Sequence, residues 1–217
     1  MALSVVIAGS SGLVGKCLLD RCLEHPEIGV VRTVGRSPGM TQHAKLEEFL
    51  VDFDAPAAFA GLPAPDVVFC GLGTTLAKAG SREAFRRVDF DYVLALAHWA
   101  RAAGCPAFHL ISAVGADAAS PVFYSSVKGE VEREVLALKF PGTVIYRPSL
   151  LLGERKDRRF AEALAQRTMP LFSPLLVGKL AAYKPIAAGQ LASTMVRRAL
   201  LRQKGAQVLA GEELFAG

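Results

Sequence analysis

The stretch Leu3-Ser4-Val5-Val6-Ile7-Ala8-Gly9-Ser10-Ser11-Gly12-Leu13-Val14-Gly15-Lys16-Cys17-Leu18-Leu19 decides the fold. Residues 3–8 are a short, β-branched apolar run, the pattern of a strand buried on both faces of a parallel sheet. From 12 to 25 the apolar residues Leu13, Cys17, Leu18 and Cys22 recur at helical spacing. Between the two lies the pattern G-x-x-G-x-x-G. Glycines at a strand-to-helix turn permit a tight bend, let backbone N–H groups approach a diphosphate, and let the helix pack close to the strand. The helix N-terminus adds partial positive charge. Gly9, Ser11, Gly12, Leu13, Val14 and Gly15 are therefore the expected phosphate-side contacts. A triphosphate loop is the rival reading, because Ser10 to Cys17 contains Gly15-Lys16. It fails twice: Ser10 stands where that loop needs glycine, and Cys17 where it needs the Ser or Thr that holds Mg²⁺.

Outward from this turn, β-branched runs alternate with helical patterns. Residues 30–34 predict a second strand, 51–53 a short third, and 67–70 a fourth that ends in Gly71-Leu72-Gly73. Residues 81–103 predict one long helix carrying Val88, Tyr92, Leu96 and Trp99, closed by Gly104. A fifth strand is expected over 108–112, a helix over 126–138 and a sixth strand over 143–147. Such alternation implies βαβ units with right-handed crossovers, hence an α/β doubly wound parallel sheet of the Rossmann type spanning 1–217 as one domain. Beyond Leu150 a basic helix is expected at 154–167, an apolar, Pro-broken stretch at 169–179, an amphipathic helix at 188–203 and a last strand at 207–209. Residues 150–190 would form a small C-terminal cap on the substrate side, its apolar stretch ordinary packing or a lid.

Composition narrows the function. With 217 residues, 52% hydrophobic and 21% charged, the chain can bury a two-sided core and is not disordered. No apolar run approaches the roughly 18 residues of a membrane span. The first basic residue is Lys16, so the N-terminal apolar run reads as a strand and not a secretory leader, and a cytoplasmic location is expected. Cys17, Cys22, Cys70 and Cys105 make no C-x-x-C pair, and the four histidines lack zinc spacing, so no metal is expected. The net charge of +5 resides largely in Arg155-Lys156-Asp157-Arg158-Arg159, Arg197-Arg198 and Arg202. No aromatic residues interleave with these charges, so they read as solvated and no nucleic-acid partner is expected.

Two further places carry chemistry. Dinucleotide folds that take NAD put an acid about 20 residues beyond the glycines, where it binds the ribose 2′-OH. Here that place holds Gly35-Arg36-Ser37, with no acid before Glu47. A guanidinium at Arg36 can pair bidentately with a 2′-phosphate, the alternative being a solvent-exposed loop arginine, and the first reading favours NADP(H) over NAD(H). In Tyr124-Ser125-Ser126-Val127-Lys128, phenol and amine are four apart and project from one helix face. An ammonium near a phenol favours the phenolate and makes it a usable proton donor and acceptor. Ser112, at the end of the fifth strand, is placed to polarise a substrate carbonyl.

Together with Val34-Gly35-Arg36, Phe69-Cys70-Gly71-Leu72-Gly73-Thr74-Thr75, Arg87-Val88-Asp89, Ile111-Ser112-Ala113 and Tyr146-Arg147-Pro148, these segments resemble the short-chain dehydrogenase/reductase superfamily. The likeness is greatest to its atypical, Tat-interacting-protein-like oxidoreductase branch. The resemblance implies an NADP(H)-dependent oxidoreductase acting on a small-molecule carbonyl or alcohol. Tyr124 is then the general acid/base, Lys128 its partner and a ligand of the nicotinamide ribose, and Ser112 the carbonyl-polarising group. Asp52 and Phe53 border the adenine, Leu72 and Gly73 line the cofactor near its inner ribose, Gly71 is a further cofactor contact, and Pro148 lies by the nicotinamide amide. The two long helices would suit a family-type homodimer. One departure stands out: the helix at 81–103 contains no Asn for the superfamily's fourth catalytic position, and Asp89 occupies that region. The alternative function is an NADP(H)-sensing regulator with little turnover.

Overall fold

A computed structural model describes residues 2–55, 57–153 and 184–215. Its strands are β1 (Leu3–Ala8), β2 (Ile28–Gly35), β3 (Leu46–Leu50), β4 (Val67–Cys70), β5 (Ala107–Ile111), β6 (Gly142–Arg147), β7 (Leu151–Leu152), β8 (Ile186–Ala187) and β9 (Gly205–Ala210). Seven of them form one sheet in the order β3-β2-β1-β4-β5-β6-β9, every neighbouring pair parallel. The helices are α1 (Leu13–Glu24), α2 (Leu76–Ala79), α3 (Arg82–Arg86), α4 (Tyr92–Ala102), α5 (Phe123–Ala137) and α6 (Ala188–Leu200). The doubly wound α/β reading holds.

The sheet is covered on both sides because its strands alternate their apolar residues. In β1, Val5 and Ile7 join the layer formed with α1 and α6, through Leu18, Leu191 and Met195. Val6 and Ala8 join the opposite layer with Leu96 of α4 and Val131 of α5. All five residues of the 4–8 span except Ser4 are buried, as the period-two geometry of a central strand requires. The α5 side is fastened by Arg147 at the end of β6, whose guanidinium donates to both oxygens of buried Glu132, at 3.0, 3.1 and 2.5 Å. On the other layer His109 of β5 and the Tyr146 hydroxyl of β6 share a buried hydrogen bond of 2.9 Å. Burial pushes the His109 imidazole down to about 3, so it is neutral in the folded chain.

Three expectations need correction. The third strand is 46–50 and not 51–53. It is a sheet edge whose Glu47 and Glu48 face solvent, so it lacks the apolar run that marks central strands. The helix expected over 81–103 is broken into α3, a π-helical turn at Arg87–Asp91, and α4. The helix expected from 126 begins at Phe123, which moves Tyr124 inside its first turn. Of the expected cap, the helix at 154–167 and the apolar stretch at 169–179 lie outside the described residues; its flanks supply the parallel pair β7–β8.

Candidate functional site

The strand order reverses between β1 and β4, and their carboxyl ends deliver two glycine turns to one place. Gly9 has φ +86, and a Cβ there would come within 2.5 Å of the Gly71 carbonyl oxygen. Gly15, on the first turn of α1, abuts the same loop: its Cβ would be 2.0 Å from the Gly9 carbonyl oxygen. Gly12 is the N-cap of α1 and offers no side chain to cap the helix, so the first-turn N–H groups are available to an anion. In front of them opens a cavity of about 680 Å³, walled by Gly9 to Gly12, Gly35 to Ser37, Phe53, Gly71 to Gly73 and Tyr92. That volume is in the range of small-molecule and cofactor sites.

Most expected cofactor contacts fall on this wall. Arg36 is exposed at its rim, which also carries Lys16, Asp20 and Glu48; Glu48 accepts the Gly39 N–H at 2.8 Å. Glu47, the first acid after β2, is engaged elsewhere with Arg32 at 2.7 Å. Phe53 stacks on Tyr92 with ring centroids 5.1 Å apart, and the Tyr92 hydroxyl donates to Asp54 at 2.9 Å. Burial, followed by Asp54, pushes the Tyr92 phenol up, keeping it a donor. Asp52 is not on the wall: it is exposed and accepts the Asp54 N–H. Leu13, Val14 and Gly15 lie behind the loop, Val14 and Gly15 buried.

The second group lies where β4, β5 and α5 converge. Ser112 directly follows β5, its N–H bonded to the Tyr146 carbonyl at 2.7 Å. Its Oγ is buried and has no hydrogen-bond partner among the described residues. Tyr124 is 37% exposed in the first turn of α5, its ring centroid 5.7 Å from that of Phe85. One turn on, Lys128 is buried, with Nζ 2.7 Å from Asp89 Oδ1. Asp89 Oδ2 accepts the Thr74 N–H at 2.8 Å. A Cβ on Gly73 would be 3.3 Å from Asp89 Oδ1 and 3.7 Å from Lys128 Nζ, so the pair borders the cavity wall. Pro148 is buried and its carbonyl accepts the Val114 N–H at 2.9 Å, tying the loop after β5 to the end of β6. Cys70, just before Gly71, is an inert thiol, pushed up to about 12 by burial.

Sequence reasoning missed that Lys128 is engaged by Asp89 and that Thr74 and Tyr92 belong to the site. The signal was present: Asp89 falls three and four residues from the buried Tyr92 and Phe85, an acid on an apolar helix face.

Residues 5–211 match the NAD dependent epimerase/dehydratase family. The chain is 41% identical over 168 residues to Protein HTATIP2 of Rattus norvegicus, covering 76% of this chain and 69% of that protein. It is 37% identical over 171 residues to the protein fmp52, mitochondrial, of Emericella nidulans, covering 75% and 73%. Among solved structures, an oxidoreductase of the short chain dehydrogenase/reductase family from Burkholderia thailandensis superposes with TM-score 0.72 at 18% identity, over 100% of this chain and 94% of that one. MoeE5 in complex with UDP-glucose and NAD gives TM-score 0.69 at 15% identity, over 97% and 79%. These last two likenesses show the fold. The expected cytoplasmic location does not stand, because the fungal relatives bear mitochondrial names. Free thiols argue only for a reducing environment, which does not single out the cytoplasm.

Proposed function

The chain belongs to the NAD dependent epimerase/dehydratase family, and from that premise we propose that it is an NADP(H)-dependent oxidoreductase acting on a carbonyl or alcohol. The observation that carries the proposal is Lys128, an ammonium buried against Gly73 and one helical turn from Tyr124. Lysine is seldom buried without a task or a partner, and here it borders the cavity.

The residues fit the cofactor. A glycine turn packed too closely against its neighbours to admit a Cβ at Gly9 or Gly15, and an uncapped helix N-terminus, suit a diphosphate. In this reading Gly9, Ser11 and Gly12 form the phosphate cradle, the first-turn backbone of Leu13, Val14 and Gly15 backs it, Arg36 takes a 2′-phosphate, and Phe53 with Leu72 flanks the adenine. Asp52 is left at the outer edge. Gly71, Gly73, Lys128 and Pro148 serve the nicotinamide half. The bound nicotinamide supplies or accepts the hydride. Ser112 Oγ, buried and unmatched, donates to the substrate oxygen, where negative charge develops during reduction. Tyr124 gives its proton to that oxygen on reduction and takes it back on oxidation, while Lys128 favours the phenolate.

Calorimetric titration with NADPH and NADH tests binding, and NADPH consumption over aldehydes, ketones and quinones tests turnover. Tyr124→Phe is expected to lower turnover by roughly 10²–10⁴-fold while leaving the nucleotide Kd unchanged. Binding of neither nucleotide refutes the proposal. A second reading, a nucleotide sensor with little turnover, draws on the Lys128–Asp89 pair, which engages the amine the chemistry uses. A sensor keeps its function in Tyr124→Phe.

A further inference from the structure

The Lys128–Asp89 pair is both more buried and more connected than an ordinary helix ion pair. The two side chains are 7% and 1% exposed. Asp89 lies in the π-helical turn at Arg87–Asp91, a rare geometry that inserts an extra residue into a helical turn and is frequent at functional sites. One carboxylate oxygen takes the Thr74 N–H from the loop after β4; the other faces the ammonium on α5. A single carboxylate thus fixes the backbone that walls the cavity and the amine that stands one helical turn from Tyr124. Either charge buried alone is costly, so each holds the other in place.

The consequence is one of charge. A lone ammonium beside a phenol favours the phenolate through its full field. An ammonium 2.7 Å from a carboxylate acts at a distance as a dipole, whose field falls away faster. We propose that Asp89 is a positioning residue that aims the Lys128 ammonium and tempers its charge, and so sets how readily Tyr124 releases its proton. This rests on Tyr124 being the proton-transfer group. Among the described residues the other charges around α5 are engaged: Glu130 takes Arg86 and the Ser126 hydroxyl, Glu132 takes Arg147, and Arg133 holds Glu134. Arg82 lies over the Phe123 ring, and Asp117 meets the helix through its backbone at Ser125. Cys70 faces the pair from β4, its thiol kept neutral by burial.

The test is an ultraviolet difference titration of phenolate absorption, each protein measured against its own Tyr124→Phe counterpart so that only Tyr124 is read. It needs neither substrate nor nucleotide, so its failure is distinct from failure of the oxidoreductase reading, which is decided by nucleotide binding. Asp89→Asn keeps an acceptor for the Thr74 N–H and removes the charge. The Tyr124 phenolate signal is then expected about one pH unit lower, roughly tenfold more phenolate at a fixed pH. Asp89→Ser, which also offers an acceptor without charge, serves if Asp89→Asn does not fold. Glu130→Gln, removing a carboxylate that does not touch Lys128, is expected to move the signal much less. An unmoved or raised signal in the charge-free Asp89 variants overturns the proposal, as does an equal shift in Glu130→Gln.

Discussion

The glycines of the first turn are needed for different reasons, and alanine substitution separates them. At Gly15 a Cβ would be 2.0 Å from the Gly9 carbonyl oxygen, over 1 Å inside van der Waals contact. Either α1 must lift from the loop or the loop must deform. Overpacking of that kind costs about 1–3 kcal/mol, only partly offset by the better helix propensity of alanine. At roughly 2–4 °C per kcal/mol for a domain of this size, Gly15→Ala is expected to lower Tm by about 2–12 °C. Gly12 is the opposite case. Its backbone is extended, with φ −75, and the nearest atom to an added Cβ is the Gly9 carbonyl oxygen at 3.2 Å. The fold therefore tolerates Gly12→Ala at a cost below about 1 kcal/mol, that of a poorer helix cap. Gly12 nevertheless walls the cavity, and a methyl group there takes space from a diphosphate lying on the N–H groups. Nucleotide affinity is expected to fall tenfold or more in Gly12→Ala with almost no change in Tm. Calorimetric titration with NADPH beside a thermal melt reads both quantities. A Gly12→Ala protein that binds NADPH as tightly as the parent refutes the phosphate cradle. A Gly15→Ala protein as stable as the parent refutes the packing argument.

Two further outcomes follow from single residues. Arg36→Ala is expected to weaken NADPH binding about tenfold or more, from the loss of a charge-assisted contact, and NADH binding by less than about threefold. Because Arg36 is exposed, the preference should shrink as salt rises, and equal loss for both nucleotides in a fluorescence titration removes the 2′-phosphate assignment. His109, held neutral by burial down to about 3, does not take up the proton that an unfolded histidine gains below about 6.5. The unfolded state then binds more protons, so stability falls as the pH drops through that window, by about 1.4 kcal/mol per unit. His109→Gln, whose amide can still meet the Tyr146 hydroxyl, should remove about 3 kcal/mol of this loss between pH 6.5 and 4. Parallel urea-stability curves for variant and parent across that range refute it.

What the sequence made legible was whatever a local pattern controls. The run 3–8 matched β1 end to end, 67–70 matched β4, and Gly12 indeed opens α1. Edge strand β3 carries no such pattern because, as an edge, it exposes Glu47 and Glu48, so the alternation that marks a strand is absent. The π turn was invisible for a different reason. One extra residue within residues 81–103 shifts the helical period by less than the scatter of apolar positions, while it changes which side chains face α5. The burial of Lys128 could not be read from Y-x-x-x-K, which fixes a helix face but not what covers that face. Its cover is Asp89 and Gly73, from segments far away in sequence.

Strand register links the core to the site. In β1 and β4, Val5 pairs with Val67 and Ala8 with Cys70, so Gly9 and Gly71 emerge side by side, and the Gly71 N–H bonds to the Ala8 carbonyl at 2.8 Å. A slip of one residue would turn Val5 and Ile7 from the α1 layer to the α4 layer. It would also part the two glycine turns that define the cavity. The same holds across β5 and β6: Ile111 pairs with Tyr146, the Ser112 N–H bonds to the Tyr146 carbonyl, and the Val114 N–H to that of Pro148. Ser112 Oγ is therefore held by the pairing that buries Leu110 and Ile145. Apolar alternation along four strands thus does double duty, and the polar groups of the site need no separate scaffold. The Lys128–Asp89–Thr74 link lies outside this logic, since it joins a helix, a π turn and a loop by an ion pair and a hydrogen bond and not by register.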